Sequence, residues 1–237
     1  VVAGLDAAEA VFSYLDVDAE VLVEMGDRIE AGDTVFRVSG SAQAVLRGER
    51  VAVNIAGHAS GVATRTREAV DAAEDAARSA GVEPPRIAGT RKTTPGLRGI
   101  EKRAVAAGGG DTHRLDLSHM VMVKDNHVAE MGMDEAIAHF RERTSFATKI
   151  EVEVERPEDA PRAAEAGADI VLLDNLSPAE TERGVALLDT ETLAEASGGI
   201  TVDDVPDYAK TGVDIVSMGS LTHSAPTLDY SFRTGGS

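Results

Sequence analysis

The chain has 237 residues, 43% of them hydrophobic, which suits one large domain or two small ones. Its 41 acidic residues outnumber the 23 basic ones, and the formal net charge of -18 excludes general binding of nucleic acid, because such a surface repels phosphate. The sequence contains no Cys, so disulfides, thiolate catalysis and Cys-based zinc sites are excluded. No apolar run approaches the roughly 18 residues of a membrane span, and we expect a soluble, cytoplasmic protein.

The balance of charged residues is typical of salt adaptation. Lys occurs 5 times and Arg 18 times, and acidic residues predominate. At about 1 M salt the Debye length is only ~3 Å, so repulsion among the acidic residues is screened. The composition therefore predicts a halophilic protein whose thermal midpoint rises between dilute buffer and molar salt.

Residues 20–48 contain short Val-rich runs separated by Gly-Asp pairs at 26–27 and 32–33. This alternation predicts small antiparallel strands joined by turns. Biotinyl and lipoyl carrier domains show the same pattern, but they modify a lysine in the hairpin. The first Lys of this chain is Lys92, so the carrier interpretation is disfavoured.

After Val51 the pattern changes to alternating helices and strands. An Ala-rich stretch over 54–80 predicts a long helix. Six apolar runs predict strands at 86–90, 120–124, 150–155, 169–173, 193–197 and 214–218, with helices at 134–143, 158–166 and 178–188. Repeated strand–helix units indicate parallel pairing, and six of them favour a closed or nearly closed α/β barrel. The Gly cluster 108–110 follows a predicted helix, so it is not the Gly-rich turn of a dinucleotide-binding sheet.

Every predicted strand ends in polar residues or Gly, and in an α/β barrel these ends meet at one mouth. The groups are Arg91 and Lys92, Lys124 and Asp125, Glu153 and Glu155, Asp174 and Asn175, Ser197-Gly198-Gly199, and Gly219-Ser220. The pattern predicts an active site at this edge.

Basic residues concentrate in 86–124, which holds eight of them and three acidic residues. We expect Arg91, His113, Arg114 and Lys124 to line one part of the mouth. A guanidinium pairs with a planar carboxylate through two hydrogen bonds, so the ligand should carry more than one carboxylate or phosphate.

The Gly-containing turns at 197–200 and 218–220 lie where barrels commonly bind phosphate. Glu153 and Asp174 could share a hydrated Mg²⁺, which typically takes one or two carboxylates together with substrate phosphates. The alternative is that Glu151, Glu153 and Glu155 form a solvated face of one strand. The histidines 58, 119, 127, 139 and 223 show no metal-ligand spacing and are expected to be packing or loop residues.

The motifs as a set resemble those of a known family. They are GERVAVNIAGHASGVATRT (48–66), GTRKTTPGLRGIEKRAVAAGGGDTHR (89–114), MVKDNH (122–127), EVEVE (151–155), LLDN (172–175), SGGI (197–200) and SMGSLTHSAP (217–226). In this order they are similar to quinolinate phosphoribosyltransferase, also called nicotinate-nucleotide pyrophosphorylase (carboxylating). They span most of the chain.

The resemblance implies a fold and a reaction. The fold is an incomplete α/β barrel of about six parallel strands (53–224) with a smaller α+β sandwich domain built from 1–52 and the tail 225–237. The reaction transfers phosphoribose from phosphoribosyl pyrophosphate to quinolinate with loss of CO2, and it gives nicotinate mononucleotide and pyrophosphate for NAD biosynthesis. The implied assembly is a homodimer with shared sites, with a hexamer built from dimers as the alternative.

The resemblance also implies the site residues. The quinolinate pocket corresponds to Arg50, Arg91, His113, Arg114 and Lys124, with Arg50 reaching into the site of the partner. The residues that match the binding site for phosphoribosyl pyrophosphate are Lys92, Glu153, Asp174, Ser197, Gly198, Gly199, Gly219 and Ser220. The expected Mg²⁺ ligands are Glu153 and Asp174, in part through water. The expected catalytic residues are Lys92, Lys124, Glu153 and Asp174.

The sequence departs from the family pattern at two places. Gly89 stands where many members have Asp, and the chain opens inside the N-terminal domain, at VVAGLDAAEAVF.

Two other functions stay open. One is a nicotinate phosphoribosyltransferase-like enzyme, which would take a monocarboxylate and hydrolyse ATP. The other is a molybdenum-transport-associated binding paralogue. The cations Arg50, Arg91, Arg114 and Lys124 favour a ligand with two carboxylates, because a buried cation without a counter-ion is costly.

Overall fold

The structure, a computed structural model, describes residues 1–234 apart from the side chain of Asp125. The chain divides into two compact units. The first comprises Val1–Glu68, Lys92–Thr112 and the described residues from 221 onward, and the second comprises Ala69–Arg91 and His113–Ser220. The predicted domain limits at residues 52 and 224 stay a prediction, and residues 235–237 of the predicted tail lie outside the described residues.

The first unit contains a small antiparallel sheet and helices. Strands β1 (Asp18–Val21) and β2 (Phe36–Ser39) pair in the register Asp18↔Ser39. Helix α1 (Leu5–Ser13) precedes them, and its Phe12 ring stacks on Phe36 with ring centroids 5.8 Å apart. Helix α3 (Arg98–Ala107) also belongs to this unit.

Helix α2 spans Ala42–Ala80 and begins earlier than the sequence predicts. The expected strands extended to residue 48, and for 42–48 this is wrong. Gly48 lies inside the helix, where Phe12 and Leu15 pack against it: a Cβ there would be 3.0 Å from their side chains. The expected turns are confirmed at Gly26 and Gly32, where φ is 98° and 103°.

The second unit is built on a six-stranded sheet, and all six predicted strands are present. They are β3 (Arg86–Gly89), β4 (Val121–Val123), β5 (Ile150–Val154), β6 (Ile170–Asp174), β7 (Leu193–Ser197) and β8 (Ile215–Met218). Every pairing is parallel, and the order is β3-β8-β7-β6-β5-β4. Because the first strand pairs with the last, this is the strand order of an α/β barrel that is open between β3 and β4.

Helices follow strands β4 to β8 in the chain. They are α4 (Asp125–Met131), α5 (Met133–Arg143), a 3₁₀ turn (Pro157–Asp159), α6 (Ala160–Glu165), α7 (Pro178–Ala186), α8 (Val205–Tyr208) and α9 (Ser220–His223). Ser177 caps α7 by accepting the N–H of Glu180, whose side chain binds back to the Ser177 N–H. No helix among the described residues combines the length and apolar character required to cross a membrane.

The core of the second unit lies between the strands and these helices. Its members are apolar side chains from β4, β5 and β6 that pack against α5 and α6: Val123, Ile150, Val152, Val154, Val171, Leu173, Met133, Ala136, Ile137, Ala160 and Ala163. Burial of this apolar surface fixes the strand register. The register in turn sets which side chains lie at the carboxyl edge of the sheet.

Candidate active site

Side chains at the carboxyl edge of the sheet form the candidate site. Because all six strands are parallel, their carboxyl ends lie along the same edge. The residues at or just after these ends are Arg91 (β3), Lys124 (β4), Glu153 (β5), Asp174 (β6), Ser197 (β7) and Gly219 (β8). The edge therefore combines cations, carboxylates and a Gly-containing turn.

Lys124 and Glu153 form an ion pair between neighbouring strands. Lys124 Nζ lies 2.5 Å from Glu153 Oε2, and the two side chains are 44% and 14% exposed. The main-chain N–H of Lys124 donates to His127 Nδ1 at 3.1 Å, so the start of α4 holds the backbone from which the lysine extends. The ammonium group is thus anchored at the mouth and open to solvent on one side.

His113 is buried between two acidic residues. Its Nε2 lies 3.1 Å from Glu195 Oε2 and 3.8 Å from Glu151 Oε1, while its Nδ1 accepts the main-chain N–H of Arg114 at 2.8 Å. Because Nδ1 accepts this hydrogen bond, it carries no hydrogen of its own, and the ring hydrogen is on Nε2, which donates to Glu195. The backbone of His113 is left-handed, with φ of 52°.

The charges around Arg114 explain two shifts in pKa. Burial lowers the pKa of the Arg114 guanidinium below its ordinary value; Glu151 opposes this effect, and Arg91 adds to it. Burial raises the pKa of the Glu151 carboxyl well above its ordinary value, and the nearby Glu195 raises it further. Among the described residues no N–H group donates to Glu151, and a hydrogen bond shared with the Glu195 carboxyl adds to the rise in its pKa. Positive and negative groups are thus held together in a largely dehydrated region.

In the described part of the chain, one group of side chains is close enough to ligate a metal ion together. It consists of His113, Glu151 and Glu195, whose ligand atoms lie within 4.8 Å of one another. It differs from the predicted Mg²⁺ residues Glu153 and Asp174. The alternative of a solvated face on β5 is wrong for Glu151, which is fully buried, whereas Glu155 is exposed.

Asp174, Asn175 and Gly198 pack closely where β6 and β7 end. Asn175 Nδ2 donates to Asp174 Oδ2 at 2.5 Å, and the Asn175 main-chain N–H donates to the carbonyl oxygen of Ser197 at 2.8 Å. Asn175 has φ of 55° and Gly198 has φ of 104°. A Cβ on Gly198 would lie 2.4 Å from Asn175 Oδ1, so only glycine fits there.

The two predicted phosphate turns follow β7 and β8, which are neighbours in the sheet. Gly199, in the first turn, also has positive φ, at 65°. Ser217 Oγ donates to Ser197 Oγ at 2.9 Å, and Ser220 Oγ donates to the carbonyl oxygen of Ile200 at 2.9 Å. The second hydrogen bond joins the turn that follows β8 to the turn that follows β7.

Two predicted site residues belong to the first unit. Lys92 is exposed, and its carbonyl oxygen accepts the hydroxyl of Thr222 at 2.7 Å. Arg50 lies on α2 with its side chain 76% exposed, and it forms an ion pair with the adjacent Glu49 at 3.7 Å. The other predicted residues lie in the second unit, so the sheet edge brings together all of the set except these two.

Glu195 was not predicted from the sequence, and Glu151 was considered only as part of a solvated strand. A signal for both was present. Each is an acidic residue flanked by apolar or small residues in a strand of a parallel sheet, IEVEV for β5 and LAEAS for β7. Such a strand is covered on both faces, so an acid within it should have a specific partner.

Comparison with known proteins identifies relatives over the whole chain. Residues 62–233 match the family model described as "Quinolinate phosphoribosyl transferase, C-terminal domain", and residues 1–60 match the model for the N-terminal domain. A probable nicotinate-nucleotide pyrophosphorylase [carboxylating] from Methanothermobacter thermautotrophicus is 44% identical over 242 residues, which is 100% of this chain and 85% of that protein.

Two further comparisons agree. The nicotinate-nucleotide pyrophosphorylase [carboxylating] of Homo sapiens is 42% identical over 98% of this chain and 78% of its own length. The crystal structure of NadC from Streptococcus pyogenes superposes with a TM-score of 0.88 at 41% identity, covering 98% of this chain and 80% of that one.

Proposed function

The chain belongs to the quinolinate phosphoribosyl transferase family, and on this premise we propose that it converts quinolinate and phosphoribosyl pyrophosphate to nicotinate mononucleotide, pyrophosphate and CO2. The observation that carries the proposal is the sheet edge of the second unit. Arg91, Arg114 and Lys124 lie there beside carboxylates and the turn at Gly198. The product is the precursor from which NAD is made in this family.

The cations explain the choice of a dicarboxylate. Arg114 keeps its charge in spite of burial, because an arginine pKa stays far above neutrality. A planar pyridine dicarboxylate offers two anionic groups, which Arg91, Arg114 and Lys124 would share. A monocarboxylate would leave one of these cations without a ligand anion, which is unfavourable in a partly dehydrated site.

The proposed chemistry has two steps. The ring nitrogen of quinolinate attacks C1 of the ribose while the bond from C1 to pyrophosphate breaks, and the carboxylates of Glu153 and Asp174 offset the positive charge on the sugar. N-ribosylation then makes the pyridinium ring an electron sink. The bond between C2 and its carboxylate breaks, its electron pair remains on C2, and a proton replaces the CO2. Cations around the retained 3-carboxylate hold the ring in place.

Glu153 and Asp174 are a suitable pair for Mg²⁺. Both are partly exposed carboxylates at the ends of the adjacent strands β5 and β6, and a hard cation prefers such oxygen ligands. Lys124 takes Oε2 of Glu153, which leaves Oε1 as the oxygen for a cation or its water. When bound, Mg²⁺ would neutralise the charge of the departing pyrophosphate.

We further propose that the active form is a cytoplasmic homodimer, with a hexamer of three dimers as the alternative. The exposed side chain of Arg50 supports this assembly, because an arginine open to solvent on α2 can enter the site of a partner subunit. Lys92 keeps its predicted role with phosphoribosyl pyrophosphate.

Turnover with alternative substrates tests the function. Purified protein in molar KCl with Mg²⁺ and phosphoribosyl pyrophosphate should consume quinolinate without ATP and leave nicotinate unchanged. Consumption of nicotinate with ATP hydrolysis would instead identify the related transferase. Thermal stabilisation by quinolinate without turnover would identify a binding paralogue. Either of these two outcomes contradicts the proposal.

A further inference from the structure

Glu195 is a buried acid to which neither the family motifs nor the proposed substrate contacts assign a role. It lies in β7, its side chain is 1% exposed, and its Oε2 accepts from His113 Nε2 at 3.1 Å. We propose that Glu195 is a positioning residue, which acts through His113 to hold Arg114 in the quinolinate pocket. This inference rests on the proposed function, because it assigns Arg114 to quinolinate.

The hydrogen bonds run in one direction from the arginine to the acid. The main-chain N–H of Arg114 donates to His113 Nδ1 at 2.8 Å, and Nε2 of the same ring donates to Glu195. A neutral imidazole has one donor and one acceptor, and these two bonds use both. The acid therefore selects the tautomer that can accept from Arg114, and it fixes the plane of the ring.

The backbone of His113 shows that this arrangement is constrained. Its φ of 52° lies in the left-handed region, which residues other than glycine seldom adopt. Such a conformation persists when surrounding contacts determine it, and the two ring hydrogen bonds are contacts of this kind. Loss of the bond to Glu195 should release the ring and, with it, the backbone from which Arg114 extends.

A carboxylate suits this position better than a neutral acceptor. The Arg114 guanidinium is partly buried, with Arg91 close enough to lower its pKa and Glu195 close enough to raise it. Glu195 thus accepts the ring hydrogen and also opposes the repulsion between the two arginines. Glu151, with Oε1 3.8 Å from His113 Nε2, lies behind it as a second carboxyl group, and burial raises its pKa.

His113, Glu151 and Glu195 could in principle ligate a metal ion instead. Two observations favour the hydrogen bond. Nε2 is already 3.1 Å from Glu195 Oε2, a donor–acceptor distance, and Arg114 already supplies positive charge to both acids. The metal content of the purified protein is therefore part of the test.

Two substitutions of Glu195 separate its role as hydrogen-bond acceptor for His113 from the role of its negative charge. E195L removes both, whereas E195Q keeps an oxygen that accepts from Nε2. We expect E195L to raise KM for quinolinate about tenfold to hundredfold, as for a lost charge-assisted hydrogen bond, with KM for phosphoribosyl pyrophosphate changed less than about twofold. E195Q should recover most of this loss. Equal rises in both KM values would overturn the proposal.

A double substitution shows whether Glu195 acts through His113. In the H113A background, E195L should raise KM for quinolinate much less than it does alone, because the link through the ring is already broken and only the effect of its charge remains. Additive effects of the two changes would contradict the proposal. D214N is the matched control. The exposed Asp214 carboxylate accepts the N–H of Ala194 at 2.8 Å, and Ala194 precedes Glu195 on β7. Its KM values should equal those of the wild type.

Two measurements keep the test decisive if E195L does not fold. Nitrogen NMR of the wild type should show His113 as the neutral Nε2–H tautomer, and E195Q should keep it. The opposite tautomer would refute the inference, as would one equivalent of divalent metal that survives chelation in the wild type and is lost in E195Q. If the wild type turns over quinolinate while E195L and E195Q keep its KM values, the inference fails and the proposed function stands. If the wild type has no turnover, the proposed function itself fails.

Discussion

Lys124 Nζ lies 2.5 Å from Glu153 Oε2, and this ion pair joins the end of β4 to β5 at the open side of the barrel. Before substrate binds, the carboxylate compensates the ammonium group. Under the proposed function, Lys124 would turn toward the carboxylate of an entering ring, and Glu153 would then face the sugar with its negative charge. The pair would thus link recognition of quinolinate to stabilisation of the ribosyl cation.

This link predicts that the effects of changing the two residues are not additive. K124M and E153Q should each lower kcat/KM about a hundredfold, the usual cost of one electrostatic contact at a reacting centre. The double variant should lose less than the product of the two losses, because each single change leaves one charge without its partner. Steady-state kinetics check this, with K210M as control, since Lys210 pairs with Asp207 on the surface. Independent effects would contradict the link.

Gly198 should tolerate no side chain. An alanine Cβ would lie 2.4 Å from Asn175 Oδ1, so Asn175 must move and its hydrogen bond to Asp174 must break. We expect G198A to raise KM for phosphoribosyl pyrophosphate about tenfold or more, as for loss of a charge-assisted hydrogen bond. G212A is the control, with φ of 80° but its nearest neighbour 3.7 Å away. It should cost about 1–2 kcal/mol of stability through backbone strain alone and leave both KM values unchanged.

Asp169 should make the stability of the second unit depend on pH. Burial acts to raise the pKa of its carboxyl, but the N–H of Ile150 and the guanidinium of Arg141 outweigh burial, and the pKa is lowered. A lowered pKa means that this stabilisation is present above the unfolded value of about 3.9 and is lost as pH falls through the folded value.

Thermal unfolding of D169N checks this sign. The variant should be less stable than the wild type by about 1–2 kcal/mol at pH 7, and the difference should shrink below about pH 4. D134N removes an exposed ion pair with Arg162 and should barely move the midpoint. A difference between D169N and the wild type that stays constant down to pH 3 would be inconsistent with a lowered pKa.

Arg50 can be tested by mixing inactive subunits. If it completes the site of a partner, R50A and E153Q should each be nearly inactive. A mixture refolded together should recover about a quarter of the wild-type activity, because half of the dimers then contain one intact site. Wild-type activity of R50A by itself, or no gain of activity in the mixture, would place Arg50 outside the shared site. Refolding each variant separately before mixing provides the control.

The sheet could be predicted from the sequence because each strand is a short apolar run bounded by polar or Gly residues. The same local signal failed at 42–48, where strands were expected and Gly48 lies inside α2. Its place inside α2 depends on packing against Phe12, a contact that local pattern does not contain. The acidic composition still predicts salt adaptation, and a thermal midpoint measured in dilute and molar salt would decide it.

The candidate site was only partly predictable for a similar reason. Polar strand ends such as Lys124 and Glu153 stand out because they follow apolar runs. For Glu195, the acid within LAEAS indicates that a partner exists, but the partner could not be identified as His113 before the distance between them was known. The left-handed backbone of His113 has no sequence signal either, since it results from contacts that the fold creates.

The stoichiometry of decarboxylation is the decisive measurement for the proposed reaction. Quinolinate labelled at its 2-carboxylate would be incubated with phosphoribosyl pyrophosphate and Mg²⁺ in molar KCl, without ATP, and with R114A as the inactive comparison. We predict one labelled CO2 and one pyrophosphate for each nicotinate mononucleotide formed by the wild type. Pyrophosphate without labelled CO2, or no product from folded protein, would contradict the assignment.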